Sequence, residues 1–199
     1  MRIGLVCEGQ TDIPVFEALL NKLLPDDWVL IPLQPERDAL GNYGSAGWTK
    51  VRDLCQSYGS YVTHLPNGPD ILIVQVDGDV AGQVSAATLD ELCAHIRSWL
   101  GSGATHPGLV ITIPAQATET WLLAGSRPAS PALESVRKPA EQLIRAGLIA
   151  HDKHGNPIKD QQRYRELAAP LADRLASLRP VLRELDRFCS KVEALVRRC

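Results

Sequence analysis

The sequence predicts an α/β fold: a layered, mainly parallel central sheet flanked by helices, with a helical C-terminal extension. Two observations carry this. Four short apolar runs lack polar alternation, as strands buried on both faces of a parallel sheet do, and amphipathic stretches separate them. Strands alternating with helices imply right-handed crossovers within one sheet.

The first run, residues 3–7 (IGLVC), precedes a helical stretch over 13–24. There Val15, Phe16, Leu19, Leu20 and Leu23 share a stripe, and Pro25 stops it. The second run, 28–33 (WVLIPL), leads through the long polar loop 34–46 to a weaker helix over 49–58, on Val51, Leu54, Cys55 and Tyr58. The third, 70–76 (DILIVQV), precedes a helix over 88–100 built on Leu89, Leu92, Ile96 and Trp99. The fourth is 108–113 (GLVITI), and after Thr118 the strand signal ends. Trp121 belongs to a short buried helix. Further helices are expected over 139–146, over 161–177, and from Pro180, a residue suited to a first helical position. No repeat is apparent. The division is therefore 1–125 for the α/β domain and 126–199 for the helical extension packed on it.

A formal net charge of -2 excludes a uniformly basic nucleic-acid binder, but charge is unevenly spread. From Lys159 onward ten Lys and Arg face six Asp and Glu, a balance compatible with phosphate-backbone contact or with a solvated helical face. No apolar run reaches the ~18 residues of a membrane span, and the opening residues lack a signal-peptide pattern, so a cytoplasmic protein is expected. Five cysteines (Cys7, Cys55, Cys93, Cys189, Cys199) form no Cys-x-x-Cys pair, which argues against a zinc ribbon or a disulfide framework. Cys7 is a poor nucleophile beside Glu8, because a neighbouring acid raises a thiol pKa.

Three acidic features fall at equivalent places. Glu8 ends the first run in VCEGQTD, Asp77 and Asp79 end the third in VQVDGDVAG, and Glu119 follows the fourth in IPAQATETWLLA. Ligands of open α/β sheets bind beyond the carboxyl ends of the strands, so all four carboxylates can gather at one edge. Their repulsion without a cation is costly: unit charges ~4 Å apart cost ~4 kcal/mol at an effective dielectric near 20. A carboxylate cluster without nearby cationic residues suits a hard divalent ion, Mg²⁺ or Mn²⁺. Gly78 is expected to turn the chain so that Asp77 and Asp79 face one ion. Thr11 and Asp12 are expected to cap the first helix, whose N-terminus would favour a phosphate. Candidate phosphate-binding groups are Gly9, Thr11, Lys159 and Arg163. His151 and His154 form a weak metal pair in a polar loop, Gly82 is a plain turn residue, and Trp121 is core.

A strand ending in Glu-Gly, then a helix, then a later strand ending in Asp-x-Asp resembles the TOPRIM domain of topoisomerases, primases and OLD-family nucleases. VCEGQTD and VQVDGDVAG carry the resemblance, and IPAQATETWLLAG is similar to the Glu-x-Trp-Leu segment of small TOPRIM-like proteins from bacterial anti-phage and mobile-element contexts. It covers roughly residues 1 to 125; the helical remainder matches through Lys138, Lys159 and Tyr164 alone. The resemblance implies a metal or general acid/base role for Glu8, Mg²⁺ ligation by Asp77 and Asp79, and a second metal at Glu119. It also implies a nuclease acting on DNA or RNA, with a partner ATPase or another defence-system protein as a candidate partner. The chain has no obvious tyrosine-nucleophile domain and no zinc module, so hydrolysis is expected over strand passage or polymerisation. Two other readings stay open: a non-catalytic TOPRIM-like module that binds nucleic acid or a partner, and a haloacid-dehalogenase-style phosphatase using Asp77 and Asp79.

Overall fold

Strands β1 (Arg2–Val6), β2 (Val29–Gln34), β3 (Ile71–Gln75) and β4 (Leu109–Thr112) form one all-parallel sheet in the order β2-β1-β3-β4. The structure is a computed structural model and describes residues 1–64 and 68–197, with all their side chains except those of 58–64. The Tyr58 side chain and Cys199, both named above, lie outside the described set.

Successive side chains of each strand point to opposite faces, and both faces are covered. Ile3, Leu5, Ile71, Ile73 and Val110 pack into one core with α1 (Asp12–Leu23), α4 (Glu119–Ser126), α5 (Pro139–Arg145), α6 (Gln161–Asp173), α7 (Leu175–Leu178) and α8 (Arg183–Val196). Val6, Leu72, Val74 and Ile111 pack into the other with α2 (Trp48–His64) and α3 (Leu89–Leu100). Double burial explains why β1, β3 and β4 read as unbroken apolar runs, whereas β2, expected to be buried on both faces, is an edge strand and only half-buried, with Val29 52 % exposed. The 126–199 segment supplies much of the first face and shares its core with β1, β3 and α1. Trp121 is fully buried there, edge-on to Phe16 and stacked on Phe188. Among the described residues, no helix is long and apolar enough to cross a membrane.

The strand order reverses direction between β1 and β3. The chain moves from β1 out to β2, then returns past β1 to β3 and β4. Such a switch point opens a crevice at the carboxyl ends of the two central strands. Glu8 and Asp77 follow those two ends directly.

Several boundaries differ from expectation. The helix expected over 161–177 breaks at Arg174, whose Nη1 caps the carbonyls of Ala124, Gly125 and Arg127 at the end of α4. Pro170 lies inside α6, and α4 crosses α6 so closely that a Cβ on Gly125 would stand 2.8 Å from the Leu171 amide. Pro180 does not start the last helix. Helix α8 begins at Arg183, where Glu134 accepts the amides of Arg183 and Glu184 at 3.1 and 2.9 Å. A cap from 50 residues away leaves no local signature.

A short repeat does exist. Asp38-Ala-Leu-Gly-Asn42 and Asp152-Lys-His-Gly-Asn156 form the same loop: the aspartate Oδ1 accepts the amides two and four residues on, and the asparagine side chain closes onto Oδ2. Isolated antiparallel bridges, Arg37 with Tyr43 and His151 with Pro157, close the two bases. The His151–His154 segment is therefore organised around Asp152.

Candidate functional site

The crevice between β1 and β3 gathers all four sequence-predicted carboxylates and adds a fifth, Asp12. Each feels the charge of others in the set: Asp77 faces Asp12, Glu8 and Glu119, while Asp79 faces Glu119 and Glu8. Asp79 is exposed, Glu8 and Asp77 are half-buried, and Glu119 and Asp12 are buried at 2 % and 5 %.

Gln75 holds the two strand ends in register. Its side chain is fully buried at the end of β3; Oε1 accepts the Glu8 amide at 3.1 Å and Nε2 donates to Asp77 Oδ1 at 2.7 Å. In return, Glu8 Oε1 accepts the Asp77 amide at 2.7 Å. The backbone ahead of Asp79 is fixed by the segment after β4, through Gly78 N to Pro114 O (2.9 Å) and Asp79 N to Gln116 O (3.1 Å). Gly78 is needed for this contact rather than for a turn, because a Cβ there would lie 2.3 Å from the Ala115 carbonyl oxygen. The residue opens a 3₁₀ helix over Gly78–Val84 with Asp77 as its N-cap.

Asp12 is not the helix cap it was expected to be. Its Oδ2 accepts the Gly9 amide at 2.8 Å and its Oδ1 accepts the Thr118 hydroxyl at 2.5 Å. It thereby ties the β1–α1 turn to the start of α4. Thr11 sits at the N-cap position but makes no side-chain cap bond. Glu119, in the first turn of α4, accepts the Tyr164 hydroxyl on Oε1 at 2.7 Å, and Lys159 Nζ stands 3.3 Å from the same oxygen.

The expected phosphate-binding set is only partly assembled. Lys159 is in the cluster, which corrects the expectation of carboxylates without a nearby cation. The Gly9 amide is engaged by Asp12, and Thr11 is 2 % exposed. Arg163 turns away to the Leu148 carbonyl and Glu166. The basic excess after Lys159 is likewise drawn into internal contacts: Arg165 to Glu17, Arg174 to α4 carbonyls, Arg179 to Asp186 and Glu193, Lys191 to the Ile111 carbonyl.

The electrostatics are those of crowded acids. Burial, against the hydrogen bond from the Asp77 amide and with help from Asp12 and Asp79, pushes Glu8 up to about 7. Burial pushes Asp12 up to about 6 despite the Thr118 hydroxyl, with Glu119 adding to the rise. Burial, then Asp12, Glu8 and Glu119, hold Asp77 well above the usual carboxylate range, and burial and Glu119 raise Asp79. For Lys159 burial works against the charge, but Glu119, Asp12 and Asp77 outweigh it and its pKa is raised. Burial and Glu119 raise the Tyr164 phenol, so it stays a hydrogen-bond donor. Cys7 is fully buried, with its Sγ on the Gly9 and Gln34 carbonyls; burial foremost raises its pKa well above normal, which leaves it an inert thiol.

Among the described residues, no three His, Cys, Asp or Glu side chains stand as a ready metal cage. Mg²⁺ uses only one or two carboxylates and completes its octahedron with water and phosphate oxygens. The donors fit such an ion. Hydrogen bonds hold Glu8 by Oε1 and Asp77 by Oδ1. Among the described residues the second oxygens of Glu8, Asp77 and Glu119, and both of Asp79, have no hydrogen-bond partner. Asp12, with both oxygens bonded, is a positioning group.

Gln75 and Asp12 were missed as members of the site. The signal for Gln75 was an amide inside the apolar run ILIVQV; for Asp12 it was an acid four residues from another in Glu-Gly-Gln-Thr-Asp. No family model, curated protein or solved structure matches the chain.

Proposed function

We propose that this chain is a divalent-metal-dependent phosphodiesterase of TOPRIM type that hydrolyses DNA or RNA. The observation that supports this most is the five-carboxylate crowd at the carboxyl ends of β1, β3 and β4, with one lysine against it. An Mg²⁺ or Mn²⁺ ion would be held by Glu8, Asp77 and Asp79, and would supply charge at the phosphoryl group and a more acidic bound water. Glu8 presents Oε2 beside Asp77, because its Oε1 is held by the Asp77 amide. Asp77 is held by Gln75 and presents its remaining oxygen. Lys159 offers donors to a phosphate oxygen, while Asp12 and Gln75 hold the turn and strand ends in place.

The test is incubation with plasmid, single-stranded DNA and structured RNA in Mn²⁺. Cleavage of at least one substrate is expected, with a loss of at least about a hundredfold in Asp77→Asn. A chain that binds Mn²⁺ but turns over none of them favours a second reading, a TOPRIM-like module that binds nucleic acid or a partner without cutting. One observation favours that reading: among the described residues no three-ligand group stands assembled. Phosphate release from small phosphoesters that is lost in Asp77→Asn but kept in Glu8→Gln would instead point to a phosphatase.

A further inference from the structure

Among the described residues the crowded acids share one cation, and its placement is specific. Lys159 stands just before α6, where Asp160 caps the helix by accepting the Arg163 amide at 2.7 Å. From there its side chain, 53 % exposed, reaches inward to a carboxylate that is 2 % exposed, with Nζ 3.3 Å from Glu119 Oε1. The same oxygen accepts the buried Tyr164 hydroxyl at 2.7 Å. One oxygen of Glu119, Oε1, is thus already held by an ammonium and a hydroxyl. Lys159 also lies within reach of the charges of Glu8, Asp12, Asp77 and Asp79, so its field covers the whole cluster.

We propose that Lys159 is the built-in second cation of this site: its ammonium takes the place beside Glu119 that a second divalent ion would need, and the site holds one divalent ion on the Glu8–Asp77–Asp79 side. The inference rests on the metal-dependent reading above and narrows it to one ion. In two-ion sites, ions about 3.5–4 Å apart serve the attacking and leaving oxygens together. A lysine ammonium is a compact charge with three donors. With one directed at Glu119, the others remain for a substrate phosphate. Tyr164 and Glu119, both buried, fix the contact from the protein side, while the Lys159 side chain as a whole is 53 % exposed.

Calorimetric titration of the full chain with Mn²⁺ at neutral pH tests this, alongside thermal melts to confirm folding. One ion per chain is expected for the wild type and for Lys159→Arg. Two are expected for Lys159→Met, the second being lost again when Glu119→Gln is added. Two ions in the wild type, or a folded Lys159→Met chain that still takes one, overturns the inference and leaves the metal-dependent reading standing. A wild-type chain that takes none overturns both. Should Lys159→Met fail to fold, the Mn²⁺ paramagnetic resonance of the wild type decides: the six-line signal of an isolated ion is expected, and a spin-coupled pair overturns the proposal.

Discussion

Among the described residues, five carboxylates at the carboxyl edge of the sheet share one lysine, whereas around α8 acids and bases are matched. Arg179 bonds Asp186 and Glu193, and Arg187 reaches Asp90 and Glu184. The hydrogen bond that Arg179 donates to Glu193, opposed by burial, holds Arg179 more firmly protonated than usual. At the sheet edge the shifts run the other way, and Glu8, Asp12, Asp77 and Asp79 are all pushed toward their neutral forms. One cluster lowers the energy of the fold as it stands; the other is tolerated because backbone contacts over-determine it. Perturbed acids in a crevice at a topological switch point mark a functional site more strongly than paired charges on a helix do.

The rigid backbone behind the acids is the part of this contrast easiest to break. Gly78→Ala places a Cβ against the 114–115 backbone, which cannot move aside without dragging Asp79 with it. Chemical denaturation should show a loss of about 3 kcal/mol, the upper range for overpacking, together with weaker Mn²⁺ binding.

Proton linkage gives an intermediate effect. Glu8 and Asp12 have folded-state values of about 7 and about 6, above those of the unfolded chain. The folded protein therefore binds more protons than the unfolded one in that window. The stabilisation these groups contribute is fully present below their unfolded values and is lost as pH rises through 6 to 7. Melting of the metal-free protein between pH 5 and pH 8 should show stability falling with pH by about 1–3 kcal/mol. Glu8→Gln should flatten the slope and raise the melting temperature at pH 8. A wild-type chain that gains stability across that window would contradict the crowding.

The smallest effect belongs to the balanced cluster. Arg179→Ala removes a partly exposed cation from two acids and should cost about 1 kcal/mol, as such pairs do. Mn²⁺ binding should be unchanged. An equal loss of metal affinity would mean that the two charge clusters are coupled.

Much of the fold was legible in local pattern. The apolar runs around Ile3, Ile71 and Val110 read as doubly buried strands because both faces of a parallel sheet are covered, and each marks a strand of the structure. Glu8, Asp77, Asp79 and Glu119 were legible as candidates because each follows a strand end, and the structure brings them together. Gln75 and Asp12 were not, since an amide in a strand and an acid at a helix start both have ordinary local uses. The start of α8 was misread at Pro180, because its amides are capped by Glu134 from another segment. Arg163 was misassigned because a lysine and an arginine four residues apart, near a helix start, gave no sign of which would face the crevice.

By itself the sequence determined the alternation of strands and helices, the burial of β1, β3 and β4 and the placing of acids at strand ends. These depend on residue type and spacing within a few positions. Tertiary structure alone decided that β1 and β3 would be neighbours, that Asp12 would bridge to Thr118, that Gly78 would press on the 114–115 backbone, and that Lys159 would stand at Glu119. Those contacts join residues 36 to 106 positions apart, and no local propensity encodes them. They follow from which faces the packed sheet and helices leave to meet.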